Sequence, residues 1–452
     1  MQIQFLGATG TVTGSKYLLT HNHHRVLLDC GLFQGRKELR LRNWQSLPIP
    51  ARTIDAVLLT HAHLDHTGYL PLLVKQGFRG PVYATAATCA LCRVLLPDSG
   101  HLQEEDAAFA NRHGFSKHRP ALPLYTREDA VRALASLRPV RWEDAAEPIP
   151  GVRAVFRPVG HILGASMIEL TLTNGRVTFS GDVGRMHHPI MAAPTKLAPT
   201  DCLVLESTYG DRNHPTHHPR EALAAMISRA VARGGSVLIP SFAVGRAQEL
   251  LFLIWQLQQA RAIPVVPVYV NSPMAIEATR LYHEFPAEHT IPPDAFAGME
   301  RMTRFVTTID ESKRLNAPST PSIIISASGM ATGGRVLHHL KAMASDPKHL
   351  IVFAGYQAMG TRGEAMIHGA TQVKIHGTVV PIRAEVQQLA ALSGHADATE
   401  LLDWLRPTAQ SPHRVFLTHG EPSASEALRK RIVDELHWPC ELPEMLREYH
   451  VL

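Results

Sequence analysis

The sequence predicts an α/β protein in which a block of alternating strands and helices is inserted into a strand-rich domain. Three observations lead there. His and Asp residues recur at the ends of apolar strand patterns, at 61–66, 161 and 182, and again at 419. Between about 209 and 377 the pattern changes to regular alternation of helix and strand, which calls for a parallel sheet flanked by helices. From 378 onward the strands and the His residues return. The expected division is therefore residues 1–207 with 378–452 as one domain, and 208–377 as the insert.

Composition bounds the reading. A chain of 452 residues is too long for one typical core, so two or three domains are expected. Apolar residues make up 45% and charged residues 19%, an ordinary globular composition that excludes a disordered or fibrous chain. The net charge of +5 is compatible with a polyanionic partner without requiring one. The five Cys, at 30, 89, 92, 202 and 440, are too few and too scattered for a disulfide framework, and Cys89 and Cys92 read as buried thiols on one helical turn. The opening Met1-Gln2-Ile3-Gln4-Phe5-Leu6-Gly7 has no basic segment followed by a long apolar one, and no apolar run reaches membrane-spanning length. A cytoplasmic protein with no membrane partner is expected.

Taken in order, strands are expected at 2–6 and 16–20, around Gly7-Ala8-Thr9-Gly10-Thr11-Val12-Thr13-Gly14. That glycine spacing is not a dinucleotide fingerprint, and no amphipathic helix follows it. Val26-Leu27-Leu28 forms a third strand ending in Asp29, which is either a turn former or a carboxylate that orients a ligand loop. Ala56-Val57-Leu58-Leu59 then runs into Thr60-His61-Ala62-His63-Leu64-Asp65-His66. In extended backbone His61 and His63 point to one side, while Asp65 and His66 fall after a turn and can face a second metal. Three imidazoles and a carboxylate within six residues suit zinc. A His-rich surface loop is the alternative in a chain with 27 His, and His21-Asn22-His23-His24 and His217-His218 read as solvated turns of that kind. The strand ahead and the H-x-H-x-D-H spacing set residues 61–66 apart from them.

Helices are expected at 85–96, 101–113 and 127–137, with a Pro-rich stretch from His118 to Tyr125. The strand Val152–Phe156 leads to His161, and a hairpin of 168–172 with 176–180 through Asn174-Gly175 runs into Gly181-Asp182-Val183-Gly184. Leu203-Val204-Leu205 places Glu206 at a further strand end. In the insert, helices at 219–233, 246–260, 273–283 and 334–344 alternate with strands at 237–240, 265–270, 322–326 and 350–353. Ser241 and Arg246, Ser328 and Gly329, and Thr361 and Arg362 stand at three strand-to-helix junctions. Such residues suit phosphate binding at strand ends and helix N-termini; ordinary turn chemistry is the alternative. His395 lies in Leu392-Ser393-Gly394-His395-Ala396-Asp397, and His419 ends the strand that begins at Arg414.

His61, His63, Asp65, His66, His161 and Asp182 come one ligand short of a two-metal count, and His419 supplies it. Two zinc ions about 3.5–4 Å apart provide a nucleophile at neutral pH and a clamp on a phosphoryl group.

With these residues in this order, the chain resembles the metallo-β-lactamase-fold hydrolases, and among them the β-CASP nucleases. Asp29 stands where the family has its first motif, and His61-Ala62-His63-Leu64-Asp65-His66 matches the second. His161 and Asp182 follow as the third and fourth, with Glu206, His395 and His419 as the β-CASP motifs A, B and C. The stretch from Asp98 to Thr126, with Gln103-Glu104-Glu105-Asp106 and Leu122-Pro123-Leu124-Tyr125-Thr126, is similar to prokaryotic relatives of the RNA 3′-end cleavage endonuclease. The resemblance implies an αββα sandwich carrying an inserted α/β β-CASP domain, and two Zn2+ per chain. It implies that His61, His63, His161 and Asp182 hold one ion. Asp65, His66, Asp182 and His419 hold the other, with Asp65 counted among the catalytic residues too. His395, paired with Glu206, is implied as proton donor or phosphate stabiliser, and Asp29 as the residue behind the ligands. The implied activity is cleavage of single-stranded RNA, as an endonuclease with 5′–3′ exonuclease action as a second mode; monomer and homodimer both stay open.

Three other functions compete. A thioesterase or lactonase of the same fold has no need of the long segment that separates Asp182 from His419. DNA nucleases of the superfamily commonly carry Val at motif C, where this chain has His419. A catalytically dead RNA-binding subunit would have lost ligands, and this sequence has lost none. The junctions at Ser241, Ser328 and Thr361 are expected to line one edge of the insert and to close over the zinc site as a narrow basic cleft.

Overall fold

The computed structural model describes residues 1–114, 116–215, 219–317, 319–389 and 391–452. The pair His217-His218 therefore lies outside the described residues. Two units emerge: residues 1–188, 192–213 and 395–452 form the first, and residues 189–191 with 214–394 form the second.

The first unit contains two seven-stranded sheets. One runs Glu448–His450, Gln2–Phe5, Tyr17–His21, His24–Leu28, Ala56–Leu58, Val82–Thr85, Leu137–Val140. The other runs Cys440–Glu441, Arg414–Thr418, Cys202–Glu206, Gly175–Phe179, Ser166–Leu172, Val152–Pro158, Ala145–Ile149. Alternation along the strands decides how they pack. Gln2–Phe5 buries Ile3 and Phe5 and leaves Gln2 and Gln4 partly open. Ile3, Phe5, Leu19, Val26 and Leu28 of one sheet share a core with Phe156, Ile168, Leu170, Phe179 and Phe416 of the other, so the sheets lie face to face. The helix Ala86–His113 packs on Val82–Thr85 and Leu137–Val140 of the first sheet, and the helix Pro422–Arg431 on Arg414–Thr418 of the second, giving the expected αββα layering.

Three details differ from the sequence expectation. The helices expected at 85–96 and 101–113 are one helix, Ala86–His113, with Pro97 inside it. Pro97 removes one backbone donor, but Leu91, Leu95 and Leu96 are buried around it, and packing outweighs the local break. Cys89 and Cys92 lie on that helix, both buried, as expected. Asp65 and His66 sit not on a loop but within the short helix Leu64–Thr67. Finally, the return to the first unit falls at 395 rather than 378. The strand Glu385–Leu389 pairs parallel with Leu350–Ala354, which keeps residues 378–394 in the second unit.

The second unit is built on a six-stranded sheet ordered Thr303–Phe305, Val268–Val270, Ile323–Ser326, Val237–Pro240, Leu350–Ala354, Glu385–Leu389. Its pairings are parallel. The central strands read as continuous apolar runs, as a sheet covered on both faces requires. Leu238, Ile324, Ile351 and Phe353 form one core with Val336, Leu340 and Met343 of the helix Val336–Met343. A separate hairpin, Gln372–Ile375 with Thr378–Pro381, packs onto the same core through Val373, Ile375 and Val380.

Candidate metal centre

All seven ligand candidates lie in the first unit, at the ends of its strands. The strand Ala56–Leu58 delivers His61 and His63, and the helix that follows carries Asp65 and His66. An α-helix turns about 100° per residue, so these two side chains leave the line of the first pair. Backbone bonds lock this segment against its neighbours: Ser15 N donates to Asp65 O (2.9 Å), and Cys30 N to His66 O (2.7 Å). The approach is so close that a Cβ on Gly31 would stand 1.6 Å from Asp65 O, so only glycine fits there. Gly184, beyond Asp182, is held equally tightly, its Cβ position 2.1 Å from Gly160 O, next to His161.

Two donor sets result. His61, His63, His161 and Asp182 bring one ligand atom each within 4.8 Å of one another, and so do Asp65, His66 and His419. His63 Nδ1 is 3.1 Å from His61 Nε2 and 3.2 Å from His161 Nε2. Asp182 Oδ2 lies 3.4 Å from His61 Nε2 and 3.5 Å from His161 Nε2, while its Oδ1 lies 3.2 Å from His66 Nε2. Asp182 thus stands between the sets. In the second set, His66 Nε2 is 3.2 Å from His419 Nε2, which is 3.4 Å from Asp65 Oδ2.

The residues fit divalent metal. Asp182 Oδ1 is buried and makes no well-formed hydrogen bond, with His66 Nε2 at 3.2 Å and His419 Nδ1 at 3.6 Å poorly placed to satisfy it, a state that a cation relieves. The outer nitrogens are engaged elsewhere, which leaves Nε2 to face inward. His66 Nδ1 donates to Asp29 Oδ2 (2.8 Å). Thr60 Oγ1 donates to Asp29, so His61 Nδ1 donates to Thr60 Oγ1 (3.1 Å). Thr208 Oγ1 donates to His419 O, so His419 Nδ1 donates to Thr208 Oγ1 (3.0 Å). Orientation of a ligating imidazole through its other nitrogen is the usual support of a metal site. Thr60 and Thr208 were not singled out from the sequence; a Thr directly before the first His is the only signal that pointed to either.

The electrostatics agree. Burial, followed by the charge of His66, holds His61 well below the usual imidazole range, and burial brings His63 down to about 4, so both are neutral imidazoles. Burial opposes the charged forms of Asp182 and His66 as well, yet both stay charged. The charges of His419 and His66 hold Asp182 well below the usual carboxylate range. Asp182 and Asp29 raise His66 well above the usual imidazole range. A metal would displace that proton from Nε2.

Comparison with known proteins agrees on one family. The Beta-lactamase superfamily domain matches residues 24–234, the Beta-Casp domain residues 247–366, and the Zn-dependent metallo-hydrolase RNA specificity domain residues 379–443. Ribonuclease TTHA0252 of Thermus thermophilus is 37% identical over 441 residues, covering 95% of each chain. The chain belongs to the β-CASP ribonuclease family. The transcription termination factor FttA of Methanosarcina mazei is 30% identical, over 96% of this chain and 69% of that protein. A crystal structure of a protein of unknown function from Enterococcus faecalis V583 has the same fold, with a TM-score of 0.53, 15% identity and 99% coverage of each chain. This β-CASP protein is a metal-dependent hydrolase acting on RNA. No helix among the described residues is long and apolar enough to cross a membrane.

In this β-CASP chain Glu206 and His395 adjoin the metal centre. Glu206 is buried and fixed, accepting from Val183 N (2.6 Å) and Thr208 N (3.2 Å). His395 Nδ1 lies against both its oxygens, and the His395 ring is 4.5 Å from that of His161. Burial works against a charged His395, but Glu206 overrides it and raises the imidazole to about 9.

The six candidate phosphate contacts all lie in the second unit, at the C-terminal ends of parallel strands. Their side chains already have partners. Ser241 Oγ donates to Phe242 O, Ser328 Oγ lies 3.1 Å from Thr332 Oγ1, and Thr361 caps its helix by accepting from Glu364 N. Gly329 packs against Phe242. Arg362 donates to the carbonyls of Lys374 and Ala331. Arg246 is ion-paired with the buried Glu249, while its buried Nε has no hydrogen-bond partner.

Proposed function

We propose that this ribonuclease holds two zinc ions and cleaves single-stranded RNA within the chain. The observation that carries the proposal is Asp182, buried between the two donor sets with an unsatisfied oxygen. His61, His63, His161 and Asp182 would hold one ion, and Asp65, His66, His419 and Asp182 the other. Two ions so held supply water activation at neutral pH and charge neutralisation on the phosphoryl oxygens.

The remaining steps belong to the protein. Asp29, Thr60 and Thr208 fix the imidazoles, so each meets its ion with a lone pair rather than a proton. Asp65 accepts a proton from the attacking water. Glu206 holds His395 protonated at neutral pH, and His395 Nε2 then gives its proton to the leaving oxygen. Such acid catalysis contributes on the order of 10²–10⁴-fold. Ser241, Arg246, Ser328, Gly329, Thr361 and Arg362 are proposed to hold phosphates along the rest of the strand. Arg246 has the best support, because its buried Nε lacks a partner.

The test is end-labelled single-stranded RNA beside RNA duplex and single-stranded DNA, with zinc measured in the same preparation. Internal cleavage of single-stranded RNA at two zinc per chain is expected. Equal cleavage of duplex, or products that grow only from the 5′ end, would overturn the substrate and the mode respectively.

A further inference from the structure

The surface of the second unit carries a cluster of cations that the chemistry above does not use. His338 and Lys341 lie one turn apart on the exposed side of the helix Val336–Met343, whose other side buries Val336, Leu340 and Met343. His376 forms the turn between Gln372–Ile375 and Thr378–Pro381, with φ of 48°, and its ring meets that of His338 at 4.9 Å. Lys374 precedes it on the exposed face of the hairpin. Arg362 ties the parts together by donating to Lys374 O (2.7 Å) and Ala331 O (3.1 Å).

Among the described residues no carboxylate is ion-paired with this cluster. Among the described residues the side chains of His338, Lys341, Lys374 and His376 make no hydrogen bond or ion pair. Beyond the effect of burial, the charges of His338, Lys341 and Arg362 all act against protonation of His376. Uncompensated like charges add nothing to the fold, and a polyanion laid over them relieves the repulsion. Two adjoining imidazole rings, tilted 43° to each other, also suit a single strand, whose bases stack on exposed rings while its phosphates meet the cations.

We infer that the helix Val336–Met343 and the 372–381 hairpin form an auxiliary RNA-binding surface, in which Lys341 and Lys374 contact phosphates and the His338–His376 pair stacks on a base. The inference rests on RNA being the substrate. It assigns a second place of contact, independent of the metal centre.

Lys341→Glu and the double variant His338→Ala/His376→Ala are made in the full chain and titrated with a long single-stranded RNA oligonucleotide across salt. Lys341→Glu is expected to weaken binding several-fold and to flatten the log–log salt slope by roughly 0.7, the share of one phosphate contact. The double variant is expected to weaken binding as well. In the wild-type chain, bound RNA is expected to protect Lys341 and Lys374 from acetylation, a readout that needs no variant. Unchanged affinity and slope, or lysines acetylated equally with and without RNA, overturns the surface and leaves a solvated face or a site for an acidic protein. A wild-type chain that neither binds nor cleaves RNA would instead overturn the substrate.

Discussion

His395 Nδ1 stands 3.1 Å from one oxygen of Glu206 and 3.2 Å from the other, and both residues adjoin a metal centre to which neither contributes in the proposed ligand sets. Substitution at either position should therefore separate chemistry from metal binding. His395→Ala is expected to keep its zinc and lose roughly 10²–10⁴-fold in kcat, the contribution of a general acid. Glu206→Gln is expected to lose activity in the same direction by a smaller factor, since the imidazole remains but is no longer held protonated. Elemental analysis beside single-turnover cleavage checks both. A near-wild-type rate in His395→Ala removes it from the mechanism.

Asp182 predicts the opposite pattern. Its two oxygens face different donor sets, so Asp182→Ala should lose both metal and cleavage together. Inductively coupled plasma measurement decides the point: zinc retained at the wild-type ratio would show that Asp182 does not join the sites.

Lys16 predicts a pH-dependent stability. Its ammonium is buried, donates to Gly31 O at 2.5 Å and lies over the rings of Phe33 and Tyr69. Burial lowers it from the ordinary 10.5 to about 8. Between those values the unfolded chain binds a proton that the folded chain does not, so stability rises as pH rises from about 8 to 10.5 and is lost again as pH falls through 8. Urea unfolding across that range should show an upward slope in the wild type that Lys16→Met abolishes. The same slope in both proteins would assign it to another group.

Arg246→Ala should act on two properties at once. Glu249 is buried, and removing Arg246 breaks a buried ion pair, which is destabilising. Earlier melting is therefore expected. Loss of one phosphate contact should flatten the salt slope of RNA binding by roughly 0.7. Early melting with an unchanged slope would make Arg246 structural only.

Legibility from sequence followed the range of the interactions. His61, His63, Asp65 and His66 stood out as candidates because four metal-binding side chains fall within six residues behind one apolar strand. Asp182 and His419 were visible because each ends a strand pattern and completes a count. Thr60 and Thr208 were not, because a single hydroxyl beside a His carries no periodic signal and its partner is set by tertiary folding. The pairing of Arg246 with Glu249 was hidden for a related reason: a basic residue at the start of a helix reads equally as a phosphate contact or as half of an i,i+3 pair. The boundary at 395 was missed because Glu385–Leu389 is a half-exposed edge strand, too polar to advertise its place in a parallel sheet.

The strand Arg414–Thr418 lies parallel to Cys202–Glu206, with Thr418 opposite Glu206, although the whole second unit separates them in sequence. His419 directly follows that strand, so the ligand set closes only after this late pairing. During synthesis the ribosome releases the first five donors and Asp182 long before it releases His395 and His419. A chain cut short before Arg414 would therefore keep His61, His63, His161 and Asp182 but lack His419, and the second donor set would stay half built.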